Sequence, residues 1–194
     1  YRDGDSIRFY EDMHVDHKRL SHEEAMQAIY IKGRDNARTP VQWDASANAG
    51  FSPEGVTPWI AVNPNYPSIN AEAVLADEDS IFYHYQQLVA LRRGKLKDLM
   101  VYASFAPVDS VQVPHNEDEA VYAYTRTGGA DGSPENESLL VVSNFTAEEQ
   151  ERDFAVLNEA REAGARIELV SSNYKDDAGS TLRPYEAKVY HIVR

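Results

Sequence analysis

Apolar residues recur at helical spacing in the first half of the chain and alternate with polar ones in the second. Ile7, Phe9, Tyr10 and Met13 predict a short first helix. Ser21 with Glu24 three residues later forms a capping-box pattern, which satisfies two amide donors at a helix start. Ala25, Met26, Ala28, Ile29 and Tyr30 follow at helical spacing, and Gly33 is placed to end that helix. Ile81, Phe82, Tyr85, Leu88, Val89 and Arg92 mark one stripe of the clearest helix. Asp77, Glu78, Asp79 and Ser80 set acidic and capping groups at its positive end, and Gly94 follows its last turn. Beyond Leu99 the period shortens to two. Residues 101–105, 120–125, 139–145, 167–170 and 187–193 read as strands, with Gly128-Gly129-Ala130-Asp131-Gly132 as turn material. Five short strands at this spacing predict an antiparallel β-sandwich, and the change of period near residue 100 predicts a domain boundary.

Between the helical segments, residues 34–67 lose all periodicity. Pro40, Pro53, Pro58, Pro64 and Pro67 fall in this stretch, with Gly50, Gly55 and both tryptophans, Trp43 and Trp59. A connection of this length inside a compact domain is functional more often than not. The two tryptophans predict an ordered loop packed on another surface, one that need not belong to this chain.

Composition narrows the function classes. The 194 residues are 42% hydrophobic, 26% charged and 10% aromatic, an ordinary globular balance. Lys and Arg total 19 against 32 Asp and Glu, a formal net charge of −13. Such a surface repels phosphate backbones and anionic lipid, so neither nucleic acid nor membrane is the expected partner. The chain has no cysteine, which removes disulfides, thiolate zinc sites and a cysteine nucleophile. A cytoplasmic location is the expectation. No apolar run approaches the roughly 18 residues of a membrane helix. The opening Tyr1-Arg2-Asp3 reads neither as a signal peptide nor as a starting methionine, so a piece of a longer protein is expected.

Candidate chemistry is sparse. His14 and His17, beside Asp12 and Asp16, admit either a divalent-metal site or a solvated acidic helix face, and the second is preferred. His22-Glu23-Glu24 lacks the second histidine of a zinc-protease motif. Phosphate loops, dinucleotide glycine patterns and nucleophile elbows are missing, and neither a metal nor a cofactor is expected. Asn136-Glu137-Ser138 and Asn144-Phe145-Thr146 match glycosylation sequons by pattern only. The acidic residues 116–119 read as a solvated turn. Arg34 and Arg38, with Asp35 and Asp44 close in sequence, admit a rigid ionic cluster. Arginine's fixed fork of donors suits carboxylates and vicinal sugar hydroxyls, and a network that ties down the long loop uses the same residues.

The segment Arg34-Asp35-Asn36-Ala37-Arg38-Thr39-Pro40-Val41-Gln42-Trp43-Asp44 closely resembles a motif of bacterial α-glucosidases in the α-amylase superfamily, glycoside hydrolase family 13. The oligo-1,6-glucosidase, dextran glucosidase and trehalose-6-phosphate hydrolase group is nearest. Further blocks follow in the family's order: Asn48-Ala49-Gly50-Phe51, Pro58-Trp59-Ile60, Val62-Asn63-Pro64-Asn65-Tyr66 and Asp79-Ser80-Ile81-Phe82-Tyr83-His84-Tyr85. Asn144-Phe145-Thr146 and Thr181-Leu182-Arg183-Pro184-Tyr185-Glu186-Ala187 extend the likeness nearly to the end of the chain.

The resemblance implies an α+β fragment. Residues 1–99 would supply the long loop and terminal helices of a (β/α)8 barrel, and residues 100–194 a C-terminal antiparallel β-sandwich. It implies hydrolysis of terminal glucose from α-1,6-linked gluco-oligosaccharides by a retaining mechanism. The aspartate nucleophile, glutamate acid/base and second aspartate of that mechanism match no residue here. No catalytic residue is therefore assigned, and the fragment alone is expected to be inactive. Arg34 is the implied substrate-binding residue for the terminal glucose. Arg38 is carried with it and more readily orients the loop, while Trp43 and Trp59 are expected to pack rather than to stack on sugar. The alternative is a non-catalytic module, carbohydrate-binding or purely structural. Its candidate surface would be a row of exposed tyrosines on one sheet face, drawn from Tyr102, Tyr122, Tyr124, Tyr174, Tyr185 and Tyr190.

Overall fold

The structure, a computed structural model, describes residues 1–128 and 136–194. Its contacts divide the chain into two compact units, Tyr1–Tyr83 and His84–Arg194. The turn predicted at residues 128–132 lies, but for Gly128, outside the described residues.

In the first unit, helix α1 (Gly4–Tyr10) is capped by Asp3, whose carboxylate accepts the Ser6 N–H. A π-helical segment, Glu11–Asp16, continues it. Helix α2 (His22–Lys32) carries the predicted capping box: the Ser21 hydroxyl accepts the Glu24 N–H, and the Glu24 carboxylate accepts the Ser21 N–H. Gly33 ends α2 without turning left-handed, at φ −62°. Its role is close approach, because an added Cβ would lie 2.7 Å from the Ile29 carbonyl oxygen. Helix α3 (Ala71–Ala76), absent from the sequence expectation, starts at an Asn70 side chain that accepts the Ala73 N–H. Helix α4 (Ile81–Arg93) begins in this unit and continues into the second.

The long loop is ordered by polar contacts. Short 3-10 turns span Arg34–Ala37 and Ala47–Gly50. The Trp43 N–H donates to the Ala49 carbonyl at 2.8 Å, and the Asn48 amide bridges the Pro53 and Val56 carbonyls. Trp43 and Trp59 are 55% and 60% exposed, so no surface among the described residues covers them. Ala25, Ile29 and Ala49 are the fully enclosed apolar residues among those described in this unit. The burial is too thin to close over residues of that size.

The second unit has a real core. Helix α5 (Lys97–Val101) takes in Val101, the first residue of the expected strand 101–105, because Leu96 and Leu99 sit at helical spacing and are both buried. Strands β1 (Ser104–Pro107), β2 (Val121–Thr127) and β3 (Glu137–Asn144) follow. Then come β4 (Gln150–Glu151), helix α6 (Ala155–Glu162), β5 (Arg166–Ser172), β6 (Thr181–Leu182) and β7 (Ala187–Val193). One antiparallel sheet runs in the order β1-β2-β3-β7-β5, with β4 and β6 forming a separate pair. Val121, Ala123, Leu140, Val142, Tyr190 and Ile192 face Leu157 and Ala160 of α6, together with Phe154 and Leu182. The opposite face joins Leu139 and Val170 to Leu96, Leu99 and Ala103. Enclosing a side chain such as Ile192 contributes roughly 1.5–3 kcal/mol. The strands are antiparallel, as expected of a sandwich, and lie in one five-stranded sheet with α6 and the short β4–β6 pair on one face.

Two of the blocks that carried the family resemblance meet at one corner of this unit. Asn144, 3% exposed, donates through its amide to the Glu148, Leu182 and Arg183 carbonyls and accepts from the Thr146 N–H and hydroxyl. Glu186, fully buried, accepts the Arg183 N–H at 2.8 Å and two guanidinium N–H groups. The Arg183 guanidinium lies 4.0 Å from the centre of the Tyr174 ring. These motifs are structural latches, and the sequon at Asn144 is closed to modification. The predicted solvated turn at residues 116–119 also hides a clamp. Asp118 accepts two Arg152 N–H groups and the N–H groups of Ala120 and Val121 at the start of β2.

Candidate functional site

The Arg34–Ala37 turn follows α2 directly, so the position of Gly33 fixes where Arg34 leaves the helix. From there Arg34 reaches back to the start of α1. Its Nε and Nη2 donate to Asp3 Oδ1 at 2.9 and 2.5 Å, and Nη2 pairs with Asp5 Oδ2 at 2.7 Å. Asp3 Oδ2 accepts the Ser6 N–H and hydroxyl at 3.2 and 3.0 Å. Arg38 Nη2 donates to Asp35 Oδ1 at 2.8 Å and lies 3.3 Å from Asp3 Oδ1. Asp35 Oδ2 in turn accepts the backbone N–H groups of Arg2 and Asp3. The expected ionic cluster thus exists with changed membership.

Asp44 is the residue that leaves it. Its carboxylate accepts the Ser46 N–H and hydroxyl at 2.8 and 2.5 Å and crowds Gly50, whose added Cβ would sit 2.6 Å away. Gly50 has φ +66°, which suits glycine there twice over. Asp3, Asp5 and Ser6 are the residues that join. A helix-cap pattern at residue 3 is readable in the sequence, but nothing there ties it to an arginine 31 positions on.

Charge and burial divide the cluster in two. Asp3 and Asp35 have nearly enclosed side chains, 4% and 6% exposed, whereas those of Arg34 and Arg38 are 62% and 41% exposed. The Arg34 hydrogen bonds, helped by those from Ser6, outweigh desolvation and hold the Asp3 carboxyl at about 2. The Arg2 N–H holds the Asp35 carboxyl below its ordinary range, and Asp3 raises the Arg34 guanidinium above its own. Buried carboxylates therefore anchor two exposed guanidinium groups. Arg38 also lies 5.7 Å from the centre of the Trp59 ring. Beside the cluster is a recess of about 310 Å³. Its lining includes Phe9, Ala28 and Ile29 together with Asp3, Asp5 and Arg34.

His14 and His17 do not converge; His14 instead lies 6.0 Å, ring centre to ring centre, from His22. His14 Nδ1 contacts the Leu20 carbonyl at 3.0 Å, and its ring centre is 4.9 Å from that of Tyr10. His17 pairs instead with Asp12. Among the described residues no three His, Cys, Asp or Glu side chains are grouped to hold a metal ion.

The anchored arginine pair leaves guanidinium N–H donors exposed on the long loop, and such donors suit hydroxyl-rich or anionic ligands. Residues 3–102 match the family described as alpha amylase, catalytic domain, and the chain belongs to the alpha-amylase family, glycoside hydrolase family 13. It is 39% identical to an oligo-1,6-glucosidase of Bacillus cereus over 99% of this chain and 31% of that protein. It is 36% identical to the trehalose-6-phosphate hydrolase of Bacillus subtilis (strain 168), over 100% of this chain and 32% of that one. The crystal structure of the trehalose-6-phosphate hydrolase TreA of Bacillus licheniformis superposes with a TM-score of 0.81 at 35% identity. That match covers 100% of this chain and 32% of the solved one. The chain thus spans about a third of the length of these relatives.

Proposed function

We propose that this chain is the C-terminal portion of an α-glucosidase that releases terminal glucose from α-1,6-linked gluco-oligosaccharides with retention of configuration. The observation that carries the reading is the 39% identity to an oligo-1,6-glucosidase across 99% of the chain. Residues 1–99 then close the barrel domain, and residues 100–194 form the C-terminal sandwich domain. The thin core of the first unit supports this, as does the exposed Ile81, Tyr85 and Val89 stripe of α4. Both suit a part whose apolar surfaces meet strands supplied elsewhere.

A retaining glycosidase needs two carboxyl groups ~5–5.5 Å apart astride the scissile bond. In this reading the rest of the enzyme supplies them, and Asp3 and Asp35 serve the arginines instead. Arg34 recognises the terminal glucose: a guanidinium fixed on one edge and open on the other is a rigid donor for sugar hydroxyls, which closes the pocket after one residue. Arg38, held by Asp35 and beside Trp59, orients the loop and is the second substrate-binding residue. The substrate is a neutral gluco-oligosaccharide, and neither nucleic acid nor a membrane surface is a partner, in keeping with the net charge of −13. A cytoplasmic location belongs to the same reading. Among the described residues no helix is long and apolar enough to cross a membrane. Assay of the intact protein and of the 194-residue chain on isomaltose and dextran tests the proposal. The intact protein should hydrolyse them and the chain should not. Turnover by the purified chain would overturn the assignment of its chemistry.

One observation favours a second role for the sheet. Phe105, Tyr124 and Tyr122 form a row with ring centres 5.2 and 5.9 Å apart, and Phe105 and Tyr122 are 52% and 43% exposed. Such a row suits stacking on a glucan chain. Retention of the chain on immobilised dextran, lost in Tyr122→Ala, would establish a carbohydrate-binding surface there.

A further inference from the structure

The guanidinium proposed to meet the substrate is only as precise as the group that holds it. Arg34 has two acidic neighbours of different kinds. Asp5 is 59% exposed and also pairs with Arg8, so its hold on Arg34 is that of a solvent-screened surface ion pair. Asp3 is 4% exposed, and both of its oxygens are committed, Oδ2 to Ser6 and Oδ1 to Arg34 Nε and Nη2. Its main-chain N–H donates to Asp35 at 2.9 Å, so the backbone carrying the carboxylate is tied to the Arg38 partner as well. The carboxylate cannot rotate without breaking the cap of α1. Arg34 Nη1 has no partner among the described residues.

We propose that Asp3 is a positioning residue for Arg34: locked by Ser6, it fixes the Nε–Nη2 edge of the guanidinium so that the Nη1 edge meets the terminal glucosyl unit of the substrate. The inference rests on the α-glucosidase reading and adds a residue to it. A carboxylate in this place does two jobs, capping a helix and pairing with a cation, and Asp3→Asn separates them. Asparagine is as good a helix cap as aspartate, but with its one carbonyl oxygen on Ser6 it carries no charge and turns its amide NH2, a donor, toward Arg34.

The test is a kinetic cycle in the intact protein with isomaltose as substrate and glucose as competitive inhibitor. Misplacing a binding group by about 1 Å costs on the order of 10²-fold in efficiency. Asp3→Asn should therefore lower kcat/KM by about that factor and raise the glucose inhibition constant, with the circular dichroism of the folded protein unchanged. Arg34→Ala made in the Asp3→Asn background should add little further loss, because both changes remove one device. If the two losses multiply, or if Asp3→Asn keeps wild-type kcat/KM, the positioning role is wrong. Should Asp3→Asn fail to fold, Asp3→Ser keeps the cap without the charge and takes its place. A wild-type protein that hydrolyses no α-glucoside overturns the functional reading and this role with it. An active wild type matched by Asp3→Asn overturns this role alone.

Discussion

Lys188 in β7 is the most exacting test of the packing described above. Strand β7 alternates so that Lys188, Tyr190 and Ile192 all point inward, and Lys188 is fully buried. Its Nζ donates to the Gly179 and Thr181 carbonyls at 3.0 and 3.1 Å and pairs with Asp177 at 3.0 Å and Glu186 at 3.6 Å. Lys188→Met keeps the volume and removes the charge. Removing one partner of a buried ion pair costs roughly 3–5 kcal/mol. Here Asp177 retains the Tyr190 hydroxyl and Glu186 retains Arg183, which places the loss near about 3 kcal/mol, at the lower end of that range. For a unit of this size that shifts the melting temperature by roughly 10 °C.

Both tryptophans lie in the first unit, so their emission reports residues 1–83, and the loss should appear in the far-ultraviolet circular dichroism of the sheet. The pH dependence adds a sign. Desolvation raises the Glu186 and Asp177 carboxyls, but Arg183 outweighs it at Glu186, and Lys188 with Tyr190 outweighs it at Asp177, so both lie below their ordinary values of 4.5 and 3.8. Their stabilisation is present above those values and is lost as pH falls through the lower folded ones. Without Lys188 the two carboxyls rise and the acid-side slope flattens. A cost below about 1 kcal/mol at pH 7, or an unchanged acid slope, would refute the reasoning.

Other changes test other parts of the structure. Gly50→Ala forces a Cβ onto Asp44 at φ +66° and should destabilise the loop by about 1–2 kcal/mol, read from tryptophan emission during urea denaturation. Asn144→Ala removes three donated and two accepted hydrogen bonds and should cost about 3 kcal/mol in the sheet unit. Asn144→Asp, which turns a carboxylate toward carbonyl oxygens, should cost more in the same chemical melt. Ser21→Ala dismantles the capping box and should lower stability by about 1 kcal/mol, with faster amide exchange in the first turn of α2.

What could be read in advance follows from how local each feature is. The α2 capping box, the α4 stripe and the alternation of β7 are set within a few residues, and the structure has all three. Helix α6 is amphipathic but only eight residues long, too short for its period to stand out between two strands. Strands β4 and β6 are two residues each, below what alternation can signal. The strand expected at 101–105 opens later, at Ser104, because residues 97–101 are held helical by Leu96 and Leu99 packing with Leu139 and Val170. The candidate site divides the same way. Arg34, Asp35 and Arg38 were visible as a cluster within five residues. The partner that anchors Arg34 is Asp3, and only the fold brings it there. Lys188 at an inward strand position is the kind of local contradiction that marks a buried ionic network.

One measurement decides between retention and inversion: the anomeric form of the glucose first released from methyl isomaltoside, whose second sugar is locked as a glycoside, by the intact protein and by its Arg34→Ala variant, followed by proton NMR. The account predicts α-glucose from both, at a catalytic efficiency on the order of 10²-fold lower in the variant. Initial β-glucose, or a variant as efficient as the wild type, would contradict it.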